Sequence, residues 1–383
     1  MKDKDIIEVY ISYILYNLSI GLYSSFLPIH LHSLGATMFI ISLISSIPAL
    51  TIVLATPVWG MLSYKMQSRK LFIMLGLIAN VICLIVFIFL HTPIQYIVTL
   101  SLFSILTCAL QPNVEAFITQ EMEKKGKAGG LLLTSRSMGL SIGALTGGLL
   151  FEILGIQKNF ILGVLSSTLA ILTLIKLREK QTQNISNANF FNITPYRTLL
   201  KDRNIIPVYF TAFMFYFGIT IFASLFSVYF VEIGGSKTLL GFTNSVIFII
   251  AILVSTPAGI LSDKIGRKPV MVFGNLCCSL TTCLLYFTND PLITAIIWAF
   301  PLHPYISISS IALIADHTTE TNIGVGMGLL IISQTVARVI GPLIGGLLAD
   351  LVTLKGVIPV SSLILLLASL SAIIFVNEKI NFN

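Results

Sequence analysis

Long uninterrupted apolar runs leave this chain almost no choice of solvent. Residues 7–30, 39–62, 71–90, 95–117, 130–153, 159–177, 207–230, 239–261, 269–288, 292–315, 325–350 and 357–376 each form one such run, bounded by charge, proline or glycine. About 20 apolar residues span a bilayer as a helix, and hydrocarbon admits only backbone whose polar groups are paired within the structure. The runs are continuous, and longer than the ~10-residue alternating strands of a membrane barrel. Composition agrees: 56% of the 383 residues are hydrophobic and 10% charged, against ~45–50% and ~25% in soluble domains. The expectation is an all-α membrane protein of twelve transmembrane helices, with no length left for a soluble domain. The first run is too long for a signal-peptide core and lacks a small-residue cleavage site, so it is expected to be retained.

A net charge of +7 would suit nucleic acid, but its placement follows topology. With the N-terminus inside, eighteen of the 23 basic residues fall on the inner side, from Lys2 and Lys4 through Arg69, Lys70, Arg267 and Lys268 to Lys379. Only Lys158, Lys237 and Lys355 fall in outer loops. This asymmetry predicts a multi-pass cell-membrane protein with both termini cytoplasmic, and it leaves no basic patch for nucleic acid. Cys83, Cys108, Cys277, Cys278 and Cys283 all lie within apolar runs, without the spacing of a disulfide framework or zinc site. No metal or cofactor is expected. "GLSIG" matches the serine-hydrolase motif G-x-S-x-G, but Ser141 lacks the strand-to-helix turn such a nucleophile needs. No enzyme is expected.

The chain also repeats itself. "SLGA" (Ser33–Ala36) answers "EIGG" (Glu232–Gly235) at an offset of 199; Thr56-Pro57 answers Thr256-Pro257 at 200; "GALTGGLLFE" (Gly143–Glu152) answers "GPLIGGLLAD" (Gly341–Asp350) at 198. Apolar helices match by chance in hydrophobicity, but not in Gly, Pro and acidic positions at one offset. The division is an N-terminal six-helix bundle (1–177), a polar linker (178–206) and a C-terminal six-helix bundle (207–383). The NIS and NIT triplets at Asn184 and Asn192 lie in that cytoplasmic linker, where glycosylation is not expected. Parallel six-helix repeats are a transporter architecture with substrate bound between the halves.

Two charged turns fall in register between the second and third helices of each half. "GILSDKIGRKP" combines Gly259, placed for close packing, Asp263, Gly266 for a tight turn, Arg267 and Lys268, with Pro269 suited to the first position of the next helix. Its degraded copy is "GMLSYKMQSRK", with Gly60, Tyr64 and Arg69. Asp263 is placed to pair with Arg267 or to face a helix N-terminus. A charged turn that ties helices and can be broken reads as a conformational latch.

These turns resemble the signature loops of the major facilitator superfamily. The resemblance covers nearly the whole chain: twelve helices, linker, both loops and the glycine-rich fifth and eleventh helices. It implies two pseudo-symmetric six-helix bundles, the major facilitator fold, rocking about a central site lined by helices 1, 4, 7 and 10. In the family the first-half loop carries an acid. Here Tyr64 stands in that place and Gln67 replaces the later glycine, so the second-half turn is expected to carry more of the gating. Gly139, Gly143 and Gly147 recur every four residues, as do Gly341 and Gly345 beside Pro342, a spacing that lets membrane helices approach closely. This resembles a helix-five motif of proton-driven exporters, although Ala144 stands where that motif has proline.

Charges at bilayer depth cost about 2.5–3.5 kcal/mol each, so each needs a reason. Glu115 and Arg136 are placed to pair with one another, as a structural ion pair or a proton site. Asp316 reads as a cap or latch partner. His303, between Pro301 and Pro304, reads either as a neutral histidine bonded to a freed carbonyl or as a substrate or proton group. Arg338 cannot lose its proton and must meet an acid, helix dipoles, water or an anionic substrate; a similar arginine before "GP" is common in the superfamily, which implies structure or gating. Tyr16, Asn17, Gln111, Asn113 and Tyr216 are the polar candidates of the cavity helices. The reading is a secondary active transporter of a small-molecule substrate, working as a monomer in the lipid bilayer by alternating access. Proton-coupled export of amphipathic compounds is the main expectation. Uptake of a small metabolite or sugar, anionic if Arg338 meets it, is the alternative, and a non-transporting receptor or scaffold the second.

Overall fold

The computed structural model describes residues 3–122, 125–175, 199–300, 303–319 and 322–378. Residues 176–198, with Asn184 and Asn192, and Pro301 lie outside the described residues. The described residues hold twelve helical spans long and apolar enough to cross a membrane, in keeping with the twelve apolar runs. Span one is α1 (Asp3–Ser24) and α2 (Leu27–Ser33), followed by α3 (Met38–Lys65) and α4 (Arg69–Ile88). Span four is α5 (Pro93–Thr107) and α6 (Leu110–Glu121), followed by α7 (Lys125–Leu154) and α8 (Ile156–Ile175). The order then repeats: α9 (Ile206–Ala223) with α10 (Phe226–Glu232), α11 (Lys237–Ile265), α12 (Arg267–Phe287), α13 (Pro291–Trp298) with α14 (His303–His317), α15 (Ile323–Leu351) and α16 (Leu354–Phe375).

Four spans are therefore broken, where the hydropathy reading had continuous helices. A proline ring clashes with the carbonyl four residues earlier and removes an N–H donor. Pro28, Pro112 and Pro304 stand four residues after Ser24, Cys108 and Phe300, and the helices give way at those positions. The break at Ser224–Leu225 has no such proline; there Leu225 N–H turns back to the Phe222 carbonyl at 2.9 Å.

The helix starts repeat with the sequence. Thr37 Oγ1 accepts from Ile40 N–H at 3.3 Å and Ser236 Oγ from Leu239 N–H at 3.1 Å, each heading the second span of its half. Ser68 caps α4. Asp290 Oδ1 accepts from Ile293 N–H at 2.9 Å ahead of Pro291, and its counterpart Thr92 precedes Pro93, where Gln95 Oε1 accepts from Thr92 N–H at 3.2 Å. Such caps satisfy amides that a helix leaves without partners. Gly35 and Gly234 both take positive φ, 83° and 91°.

The helices gather into two compact units, one holding α1 to α8 with the chain from Ser227 to Ile252, the other holding α9 and the chain from Leu253 onward. In the first, α1 packs on α7 and α8, and α4 on α6 and α8; in the second, α9 packs on α15 and α16, and α12 on α14 and α16. The two packing schemes are the same scheme in repeat register.

The glycines explain how close these contacts are. A Cβ on Gly21 would meet the Leu140 carbonyl oxygen at 2.6 Å, and one on Gly147 would meet that of Leu22 at 2.5 Å. Gly139 and Gly143 lie against α1 in the same way. On α15, a Cβ on Gly341 would stand 3.0 Å from the Phe217 oxygen, and one on Gly345 would stand 2.8 Å from the Ile221 carbonyl carbon. Pro342 is buried between them in sequence. Gly60 and Gly259 behave differently from expectation: a Cβ on either meets nothing within 4 Å. Close packing is therefore not the reason for glycine at those positions.

Candidate functional site

In the first unit the candidate residues lie on α1, α6 and α7. Asn17 is buried, donates through Nδ2 to the Tyr13 carbonyl at 2.7 Å, and lies against Gly139. It is thus a packing group between α1 and α7 rather than the cavity contact expected of it. Tyr16, one residue before, is half-buried. On α6, Gln111 Nε2 donates to Glu115 Oε1 at 2.9 Å, one helical turn away. Glu115 and Arg136 are both exposed, and no ion pair joins them among the described residues, against the pairing that their placement suggested. Gln111 takes the carboxylate instead.

Asn113 proves to belong to the first charged turn. It is fully buried, donates to the Ala109 carbonyl at 2.7 Å, and its Oδ1 accepts from Arg69 Nη1 at 3.3 Å. Arg69 also donates to Ser63 Oγ at 2.7 Å. Two neutral acceptors, Ser63 and Asn113, thus meet Arg69 in the first turn. Gln67 occupies the left-handed region at φ 50°, in the register where Gly266 has φ 103°. A side chain is unfavourable there, so this turn adopts the glycine conformation without the glycine.

The second turn is an ionic cluster. Arg267 Nη1 pairs with Asp263, one turn earlier, and its Nε lies 3.4 Å from Asp316 Oδ2 at the end of α14. Gly266 serves as the N-cap of α12, so Pro269 is the third helical residue, not the first as expected. A feature that sequence reading missed completes the site. Glu378 folds back from beyond α16 and accepts from the backbone amides of Arg267 and of Lys268, the latter at 3.2 Å. A carboxylate at a helix N-terminus meets both free amides and the dipole. Lys268 Nζ donates to the Ile373 carbonyl at 2.8 Å, as Lys70 Nζ does to Ile175 at 2.8 Å, 198 residues earlier. These lysines, which charge topology alone seemed to explain, also tie each turn to the last helix of its half.

Two further candidates meet in the second unit. Arg338 lies with its guanidinium carbon 4.4 Å from the centre of the Tyr216 ring. Tyr216 is buried and Arg338 exposed. The contact follows from the glycine packing, because Gly341 brings α15 onto α9 one turn away. His303 opens α14 and is exposed. Among the described residues no group of three or more His, Cys, Asp or Glu is placed to hold a metal ion.

The profile of the Major Facilitator Superfamily matches the chain twice, over residues 9–231 and 208–380. Multidrug resistance protein MdtG of Proteus mirabilis is 28% identical over 235 residues, covering 60% of this chain and 58% of that protein. The staphyloferrin B transporter of Staphylococcus aureus is 28% identical over 250 residues, covering 62% and 59%. The matched stretches thus span a little under three-fifths of the length of these relatives. The crystal structure of nucleoside transporter NupG superposes with a TM-score of 0.83 at 12% identity, covering 99% of this chain and 100% of that one. A bacterial homologue of the human lysosomal transporter Spinster, inward-facing and occupied, gives 0.77 at 12% identity, covering 96% and 95%. At such identity the likeness is one of fold alone.

Proposed function

This chain belongs to the Major Facilitator Superfamily of membrane transporters, and from that premise we propose that it works by alternating access as a proton-coupled exporter of small amphipathic compounds. The observation that carries the export reading is the glycine face of α7, on which Gly139, Gly143 and Gly147 all lie against α1. Similarity to multidrug resistance protein MdtG supports it. The end bearing the charged turns is assigned to the cytoplasm, as the positive-inside rule directs.

Proton handling is assigned to Glu115 and His303. Glu115 is exposed and its carboxylate accepts from the neutral Gln111. His303 stands exposed at a helix break. The Asp263–Arg267–Asp316 cluster is assigned to gating: it joins the end of α11 to the start of α12 and the end of α14, and breaking it would release those ends.

The test is flux of a lipophilic fluorescent dye in proteoliposomes under an imposed pH gradient. Wild type is expected to move the dye against its gradient, and Glu115→Gln or His303→Ala to reduce gradient-driven flux by about tenfold or more, in the range seen for removing a proton-transfer group. Unchanged flux in both variants would refute the coupling assignment. Absence of wild-type flux across a broad panel of solutes would refute the transporter reading.

A further inference from the structure

Arg338 is the sixteenth of the 29 residues of α15, at the middle of a membrane span. A fixed cation at that depth demands a counter-charge or water, and the second unit supplies no acid to it. Asp263 and Asp316 are engaged with Arg267, and Glu378 with the start of α12. Asp202 accepts from Asn204 N–H at 2.8 Å, and Asp290 caps α13. Asp350 lies twelve residues further along α15, about 18 Å away at 1.5 Å per residue. Glu320 is outside the described residues. Among the described residues Arg338 makes no ion pair.

What holds the guanidinium is the face of Tyr216, a ring only 7% exposed. A ring contact uses none of the arginine N–H donors, so the planar fork that matches a carboxylate is left available. A buried aromatic seat and an unpaired guanidinium make a site with an apolar face and an anion-seeking fork.

We infer that Arg338, seated on Tyr216, is an anion-recognition site, and that the transported compound is an amphipathic organic acid whose carboxylate meets the Arg338 fork. This rests on the transporter reading and narrows its substrate class. The exposed fork, rather than the helix packing, is what the inference assigns to the ligand.

The experiment uses the full chain, purified in detergent, with radiolabelled naphthoate and its neutral isostere naphthamide as probes. Wild type is expected to bind naphthoate about tenfold or more tightly than naphthamide, as a charge-assisted bidentate contact would provide. Arg338→Gln should abolish that preference while leaving naphthamide binding in place, which also reports that the variant is folded. Arg338→Lys should keep part of it. Tyr216→Phe should keep it and Tyr216→Leu weaken it, since only the ring is needed. Lys158→Gln, a surface charge removal, should leave it unchanged. Equal binding of the two probes by wild type, no binding of either, or an undiminished preference in Arg338→Gln would each overturn the inference. If the dye is still pumped in those cases, the transporter reading stands and only the substrate class falls.

Discussion

Glycine is used in two different ways in this chain, and single substitutions separate them. At Gly266 the backbone has φ 103°, and a Cβ would stand 2.8 Å from a Glu378 carboxylate oxygen. Gly266→Ala therefore combines left-handed strain of roughly 1–2 kcal/mol with a displaced carboxylate. A lowered unfolding midpoint of the purified protein is expected. At Gly259 the helix is regular and the space open, so Gly259→Ala should be neutral or stabilising by up to about 1 kcal/mol, because alanine orders more cheaply in a helix. A midpoint for Gly259→Ala as low as that of Gly266→Ala would contradict this account. Gln67, at φ 50°, shows that a positive φ in this register can be held by a larger residue than glycine.

At the scale of elements, the start of α12 is where several independent constraints meet. Its first amides are capped from Glu378, its first side chain pairs with α11 and α14, and its second is bonded to α16. Glu378→Gln keeps the shape and one acceptor but removes the charge at the helix N-terminus. A loss of about 0.5–2 kcal/mol is expected from weakening such a cap, measurable as a fall in thermal midpoint. The Asp263–Arg267 pair should matter less to stability, since Asp263 is 69% exposed and exposed pairs contribute ~0.2–1 kcal/mol. If Asp263→Asn shifts transport rate while Glu378→Gln shifts mainly stability, the pair gates and the cap builds. The reverse pattern would exchange those roles.

At the scale of the molecule, topology is the property on which the proposed direction of transport depends. The expected arrangement has Lys158 outside and Lys264 inside, by the charge asymmetry of the loops. Lys158→Cys should react with a membrane-impermeant thiol reagent added to intact cells, and Lys264→Cys only after permeabilisation. The five native cysteines are free, four within helices and Cys108 at the break after α5, so a version lacking them serves as background. Labelling of Lys264→Cys in intact cells would invert the topology and with it the assignment of export.

Much of this was legible along the chain because membrane folding is read from local facts. Twelve apolar runs have to be helices since hydrocarbon offers the backbone no other partner, and Gly, Pro and acidic positions recur along the chain at an offset of 198–200 residues. The prolines at 28, 112 and 304 even marked three of the four helix breaks, although hydropathy smoothed over them. What the chain could not disclose was partnership. Glu115 and Arg136 looked like a pair, yet Glu115 sits with Gln111; Asn113 looked like a cavity residue, yet it holds Arg69; and Glu378, which drew no reading along the chain, caps α12 from 111 positions away. Arg338 had four possible counterparts in sequence and a single neighbouring ring in space. Hydrophobicity and backbone chemistry act on each residue whatever its neighbours, so they can be read locally. Hydrogen bonds and ion pairs are decided by which helices meet, and that is settled only when the glycine faces close.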